Sequence, residues 1–357
     1  MWLRSLFISL VLFTLTIQAG FPRDRTLSPE ERDQLKQAKT VLIKTVALTE
    51  LGNANTDKIQ QVVSQRLRAL GFITHQNSKT QHDVLVKVKC EERKTRRGPS
   101  TYGGDADSLH APLRNWTGPA CLITYGLHGH DIAWQTEVRT TFDDARRSAQ
   151  KARVKNSGDY ALSELAKLLE HDDFPYLLVT EWGQTQRLSR MIQHETTPQA
   201  LKLKLISLLG EIPDPETLPI LEQALQNPHL ATSAAIAMGR QGEQATKTLL
   251  KVLQTTTNSQ LKIAAVQGLG EIATHNSQTP VFSPFLSTLE EPTTELPVQT
   301  EIVLALGKLA DNRAIEPLSA LNQKVWTDPS RDPEMQKLRE ALSWSLWQLN
   351  PSAHTGE

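Results

Sequence analysis

Apolar and polar positions change rhythm near the middle of the chain, from a mixed pattern to a purely helical one. "TVLIKTVALT" (Thr40 to Thr49) is dense in β-branched residues and reads as a strand. "TDKIQQVVSQRLRALGF" (Thr56 to Phe72) places Ile59, Val62, Val63, Leu67 and Leu70 on one helical face, with Thr56 as N-cap and Gly71 as C-cap. "HDVLVKVKCEE" (His82 to Glu92) alternates apolar with polar and gives a second strand. "ACLITYGL" and "DIAWQTEVRTTF" give two more, joined through the glycine-containing "HGHD" (His128 to Asp131). The stretch from Asp143 to Arg153 returns to helix. The order β-α-β-β-β-α predicts a compact α+β domain over 39–155, with a charged lead over 21–38 that is helical or flexible. Glu91 to Pro119 is poor in apolar residues and rich in turn formers, so a long loop is expected over 91–119.

The second half repeats. "LKLISLLGEIPDPETLPILEQAL" from Leu203, "TSAAIAMGRQGEQATKTLLKVL" from Thr232, "KIAAVQGLGEIA" from Lys262 and "TEIVLALGKLADNRAIEPLSAL" from Thr300 share one plan. Small and apolar residues recur at helical spacing, a glycine follows, then a second apolar helix. The aligned glycines are Gly210, Gly239, Gly270 and Gly307, spaced 29, 31 and 37. A fifth unit, "LREALSWSLWQLNP", carries Trp347 in the glycine place, and a degenerate upstream unit is conceivable around Gly183. Paired helices at such a period stack into an α-solenoid, because one pair leaves an apolar face on each side. The predicted architecture is an α+β N-terminal domain followed by an all-α solenoid over 199–350. Residues 156–198 read as a helical connection or degenerate repeat, and 351–357 as a disordered tail.

One rung imitates a cofactor site. Gly268-Leu-Gly270-Glu-Ile-Ala273 fits the G-x-G-x-x-A form of the dinucleotide fingerprint, with Glu290 and Glu291 about twenty residues on. That fingerprint needs a strand and a tight turn before its helix, whereas "KIAAVQ" has the spacing of a helix. The sister segments "LLGEIP", "AMGRQG" and "ALGKLA" keep the second glycine without the first. Gly270 is therefore expected at a helix end and Gly268 within the helix before it, with no nucleotide bound.

The segments "PDPETLPILEQALQNPHLATSAAIAMG" and "ALGKLADNRAIEPLSAL" resemble the short HEAT-like repeats of phycobiliprotein lyases. The pattern there runs roughly D-x-x-A-x-x-x-L, a turn with Pro, then R-x-x-A-x-x-A-L-G. The resemblance spans Leu203 to Leu349 and implies an interaction scaffold with a protein partner. The basic residue of that pattern, eight before the glycine, falls at Lys202, Ala231, Lys262, Gln299 and Arg339, so two of five positions depart from it. Lys202, Lys262 and Arg339 are candidate partner contacts. Trp344 and Trp347, with Trp326 nearby, either fill the core of a capping unit or form an aromatic patch on the exposed end. In topology, the N-terminal domain with its "DIAW" hairpin resembles small sheet domains of bacterial periplasmic and envelope proteins.

Composition narrows the setting. Lys plus Arg and Asp plus Glu number 39 each, a balance that argues against a chain devoted to nucleic acid or an anionic membrane. Met1 to Gly20 has one early Arg, an almost unbroken apolar run from Ser5 to Ile17, and small residues Ala19 and Gly20. It reads as a signal peptide cleaved after Ala19 or Gly20, the other reading being a retained anchor. Export would place the protein in the periplasm or outside the cell, soluble after cleavage. In that setting Cys90 and Cys121 can pair as a disulfide, or remain two buried thiols. Arg93, Lys94, Arg96 and Arg97 form a charge run that is either a solvated face or a contact for an anionic envelope polymer. His128 and His130 are an H-x-H pair that a metal could use, though a turn between them breaks the strand alternation and no third ligand is fixed. No G-x-S-x-G, H-E-x-x-H or P-loop occurs. The expectation is an exported, non-enzymatic scaffold without a cofactor. The alternatives are an accessory acting on a prosthetic group and a binder of envelope polymer.

Overall fold

The computed structural model describes residues 27–96, 116–212, 214–276 and 278–350. The signal-peptide and tail assignments, and Arg97, lie outside them. The chain opens with α1 (Pro29–Gln37), capped by a reciprocal Ser28–Glu31 box. The leading segment is thus helical where it is described. A sheet follows, built from β1 (Thr40–Thr49), β2 (Gly52–Asn53), β3 (Ile73–His75), β4 (Val84–Arg96), β5 (Trp116–Leu127) and β6 (His130–Arg139). Its order is β2-β1-β4-β5-β6, and β3 also pairs with β1. Strands β1 and β4 are parallel, joined through the crossover helix α2 (Asp57–Ala69), and β4-β5-β6 is an antiparallel meander. This is the predicted strand and helix order, with two short strands added.

The expected loop is shorter than its composition suggests. The β4–β5 ladder continues through Lys94↔Gly118 and Thr95↔Thr117 to Arg96↔Trp116, past a register shift between Glu91 and Lys94. Backbone pairing needs no apolar side chain, so a polar, turn-rich segment can still extend a hairpin. Cys90 faces Cys121 across this ladder, and the two form a disulfide.

One face of the sheet carries Ile43, Val86, Val88, Ile123 and Tyr125 into the core. Helix α3 (Ala145–Lys151), begun by the Asp144 cap, leads into α4 (Ser157–His171), which lies on α2 and on the sheet. Residues 156–198 complete three helices: α4, α5 (Phe174–Glu181) and α6 (Thr185–Gln193). Trp182, just past α5, is 1 % exposed and meets Phe72 and Tyr125 edge-on, with ring centroids 5.5 and 5.6 Å apart. The sheet and the helical array therefore share one continuous hydrophobic core.

Two layers of helices follow. The first holds α7 (Gln199–Gly210), α9 (Ala231–Arg240), α11 (Ser259–His275), α13 (Leu296–Leu309) and α15 (Pro333–Leu349). The second holds α8 (Leu218–Leu225), α10 (Thr246–Thr255), α12 (Phe282–Glu290) and α14 (Ile315–Thr327). First-layer helices pack consecutively on one another, and each second-layer helix packs on first-layer helices. This is the helix-pair solenoid expected from the sequence.

Candidate functional site

The first layer is held together by a two-sided contact. A Cβ built at Gly210 would stand 3.0 Å from the Ala237 backbone, and one at Gly239 only 2.4 Å from Gly268 Cα. One at Gly307 would stand 2.8 Å from Ser345 Cα, and one at Gly270 an ordinary 3.6 Å from Ala305 Cβ. Each aligned glycine thus faces the next rung. Ala237, Gly268, Ala305 and Ser345, each two residues before the next rung's aligned position, face the previous one. A small-x-Gly motif gives α9, α11 and α13 two narrow sides, which lets their backbones approach their neighbours closely. Gly268 is the backward residue of its rung and Gly270 the forward one. The expectation that Gly270 ends its helix is corrected, since α11 runs on to His275. Gly210 is the last residue of α7, while Gly239 and Gly307 lie in the final turns of α9 and α13. No strand and no phosphate-binding turn precede Gly268, which is buried inside a helix.

The fifth rung ends this pattern. Ser345 faces backward and bonds the Val303 carbonyl at 2.9 Å. Trp347 takes the forward place and is 50 % exposed, with Trp344 37 % and Trp326 61 % exposed. Leu338, Ala341, Leu342 and Leu349 fill the terminal core instead, so the expectation that the tryptophans fill it is corrected.

The solvent side of the first layer forms a patterned surface. Three and seven residues before each aligned position stand Ser207 and Leu203, Ile236 and Thr232, Gln267 and Ile263, Leu304 and Thr300, then Trp344 and Glu340. All are half-buried or exposed. Every rung offers one apolar and one polar side chain. The next residue after each aligned position is charged in the first four rungs (Glu211, Arg240, Glu271, Lys308), and Glu211 pairs with Arg240 across rungs.

The predicted basic positions have mixed fates. Arg339 donates to the carbonyls of Val325, Asp328 and Ser330 and lies 5.9 Å from the Trp326 ring, so it ties down the α14–α15 connection. Gln299 ties down the α12–α13 connection, its Nε2 donating to the Thr294 carbonyl at 2.9 Å. Lys262 is half-buried near the start of α11, and Lys202 lines a groove of about 540 Å³ with Ile192, Ile220 and Asn227. Gln241, absent from the sequence reading, is a central staple. Its Nε2 donates to Leu209 and Ile212 carbonyls at 2.8 and 2.9 Å, and its Oε1 accepts from the Asp214 N–H at 2.9 Å. Its only signal in the sequence was its place two residues after an aligned glycine.

In the sheet unit, Arg93 and Arg96 lie on the terminal part of β4, where backbone pairing alone is described. His128 and His130 flank the hairpin turn, with positive φ at His128 (52°) and Gly129 (81°). His128 meets Gln34 on α1, and no cluster of three or more metal-ligating side chains occurs among the described residues.

Comparison with known families agrees with this geometry. Residues 187–270 match the model for HEAT repeats, and residues 298–321 the model for the PBS lyase HEAT-like repeat. The helical array is accordingly a HEAT-like repeat solenoid. A search of curated proteins found no match. Among solved structures, human deoxyhypusine hydroxylase in complex with glycerol aligns at 17% sequence identity and a TM-score of 0.27, over 55% of this chain and 91% of that one. Overlap so loose bears on neither fold detail nor chemistry.

Proposed function

We propose that the protein is an exported, non-enzymatic adaptor whose first-layer surface docks a segment of a partner protein. The observation that carries this reading is the regular face with one apolar and one polar side chain per rung. HEAT-like arrays supply such faces as extended binding surfaces. A segment laid along the array meets Leu203, Ile236, Ile263 and Leu304 as apolar anchors, with Thr232, Gln267 and Thr300 as hydrogen-bonding neighbours. The Cys90–Cys121 disulfide suits an oxidising compartment, and the apolar Ser5 to Ile17 run suits export.

Capture of partners from the exported fraction tests the surface directly. Arginine at both Ile236 and Leu304 is expected to abolish capture while far-UV circular dichroism is unchanged. Arginine at exposed second-layer positions Lys247 and Gln254 is expected to leave capture intact. Undiminished capture by the first pair would sink the docking face. A chromophore or stoichiometric metal that co-purifies from the native host would instead favour an accessory acting on a prosthetic group.

A further inference from the structure

Where the sheet unit meets the array, a cleft of about 700 Å³ opens between the α1–β1 connection and α6. Lys36, Lys39, Arg187 and Arg190 line it together with Asp214 and Glu216, which are bonded to the first turn of α6. Neutral donors occupy both carboxylates: Asp214 accepts from Thr185 Oγ1 at 2.6 Å and from the Glu216 N–H at 3.0 Å, and Glu216 accepts from Gln186 Nε2 at 3.0 Å. No ion pair joins Lys36, Lys39, Arg187 or Arg190 to a carboxylate among the described residues.

Two glycines shape the cationic wall. Gly71 and Gly183 both line the cleft with left-handed backbones, at φ of 84° and 66°. A Cβ at Gly71 would stand 3.0 Å from Arg187 Nη1, and one at Gly183 would stand 3.2 Å from Lys36 Cε. Both cationic side chains lie against backbone that carries no side chain of its own. Arg187 is fixed further by carbonyls, donating to Leu70 at 2.6 Å and Ala38 at 3.3 Å, with its guanidinium 3.8 Å from the Phe72 ring centroid. Burial, and then the neighbouring Arg190, pull its pKa down.

We infer that this cleft binds a small multivalent oxyanion, phosphate- or carboxylate-bearing, through Lys36, Lys39 and Arg190 against the fixed wall of Arg187. An anion there relieves the mutual repulsion of the cations and receives charge-assisted hydrogen bonds, with the planar Arg190 fork suited to two oxygens at once. The site is separate from the docking surface, so either can fail alone.

Isothermal titration of the full chain with inorganic pyrophosphate and with citrate tests the assignment. Saturable one-site binding of at least one is expected, and the tighter of the two identifies the head group. The K36Q/K39Q/R190Q variant is expected to raise that Kd by about tenfold or more. A control, K247Q/K251Q/K324Q, removes the same charge elsewhere and is expected to leave the Kd unchanged. Failure of both probes to bind, an unchanged Kd in the cleft variant, or an equal loss in the control would each overturn the inference.

Discussion

Gly268 and Gly270 are two residues apart and look interchangeable, yet they face opposite neighbours at very different distances. A methyl group at Gly239 meets the Gly268 backbone at 2.4 Å, so Gly239→Ala is expected to cost about 1–3 kcal/mol from overpacking. Gly270→Ala has room beside Ala305 and removes a glycine from a helix interior, so it is expected to be neutral or stabilising by up to about 1 kcal/mol. Urea midpoints for the two variants check the contrast, and equal losses would contradict the two-sided contact. The glycines themselves were legible in the sequence, because they recur. Which way each one faces was not, since that depends on a helix some thirty to forty residues away. Arg339 shows the same limit. Its type and spacing fit a surface contact, and only the folded α14–α15 connection reveals three carbonyls waiting for it.

At the scale of elements, the parallel start of the sheet hangs on one carboxylate. Asp83 Oδ2 accepts the N–H groups of Lys39 and Thr40, each at 2.8 Å, and its own N–H donates to Thr40 Oγ1 at 2.9 Å. Partial burial acts to raise its pKa, but those N–H donors outweigh it and hold the carboxyl below its usual range. A depressed folded value means stability that is present above the unfolded pKa, near 3.9, and lost as pH falls through the folded one. Asp83→Asn is therefore expected to lower the thermal midpoint at pH 7, with the gap to the parent closing as pH drops below about 4. A gap independent of pH would argue against this role. Strands β1, β4, β5 and β6 were legible from their alternation, as were the solenoid helices from their apolar spacing. The ends of the β4–β5 ladder were hidden because Glu91 to Pro119 reads as turn, while ladder pairing is a property of two strands together. Helix α4 gave no hint of its partner, because a helical face records burial and not what covers it.

For the whole molecule, Trp182 is the joint. Its ring fills space between Phe72 and Tyr125 from the first residue beyond α5, so sheet and array unfold as neighbours across a common interior. Trp182→Ala is expected to cost about 3–5 kcal/mol. Sheet and helix signals should still be lost together, at a lower midpoint, whereas two separate midpoints would mean two independent cores. The spacing of the two helical layers has a further consequence. First-layer helices come close to backbone contact where small residues stand, while the second-layer ones bury Leu221, Leu249, Phe285 and Leu318. Helix pairs set closer in one layer than in the other stack along a bent axis. Each rung is then a wedge whose thin edge is the missing Cβ, and the array is expected to curve toward its glycines, a bend that small-angle scattering of the full chain would check.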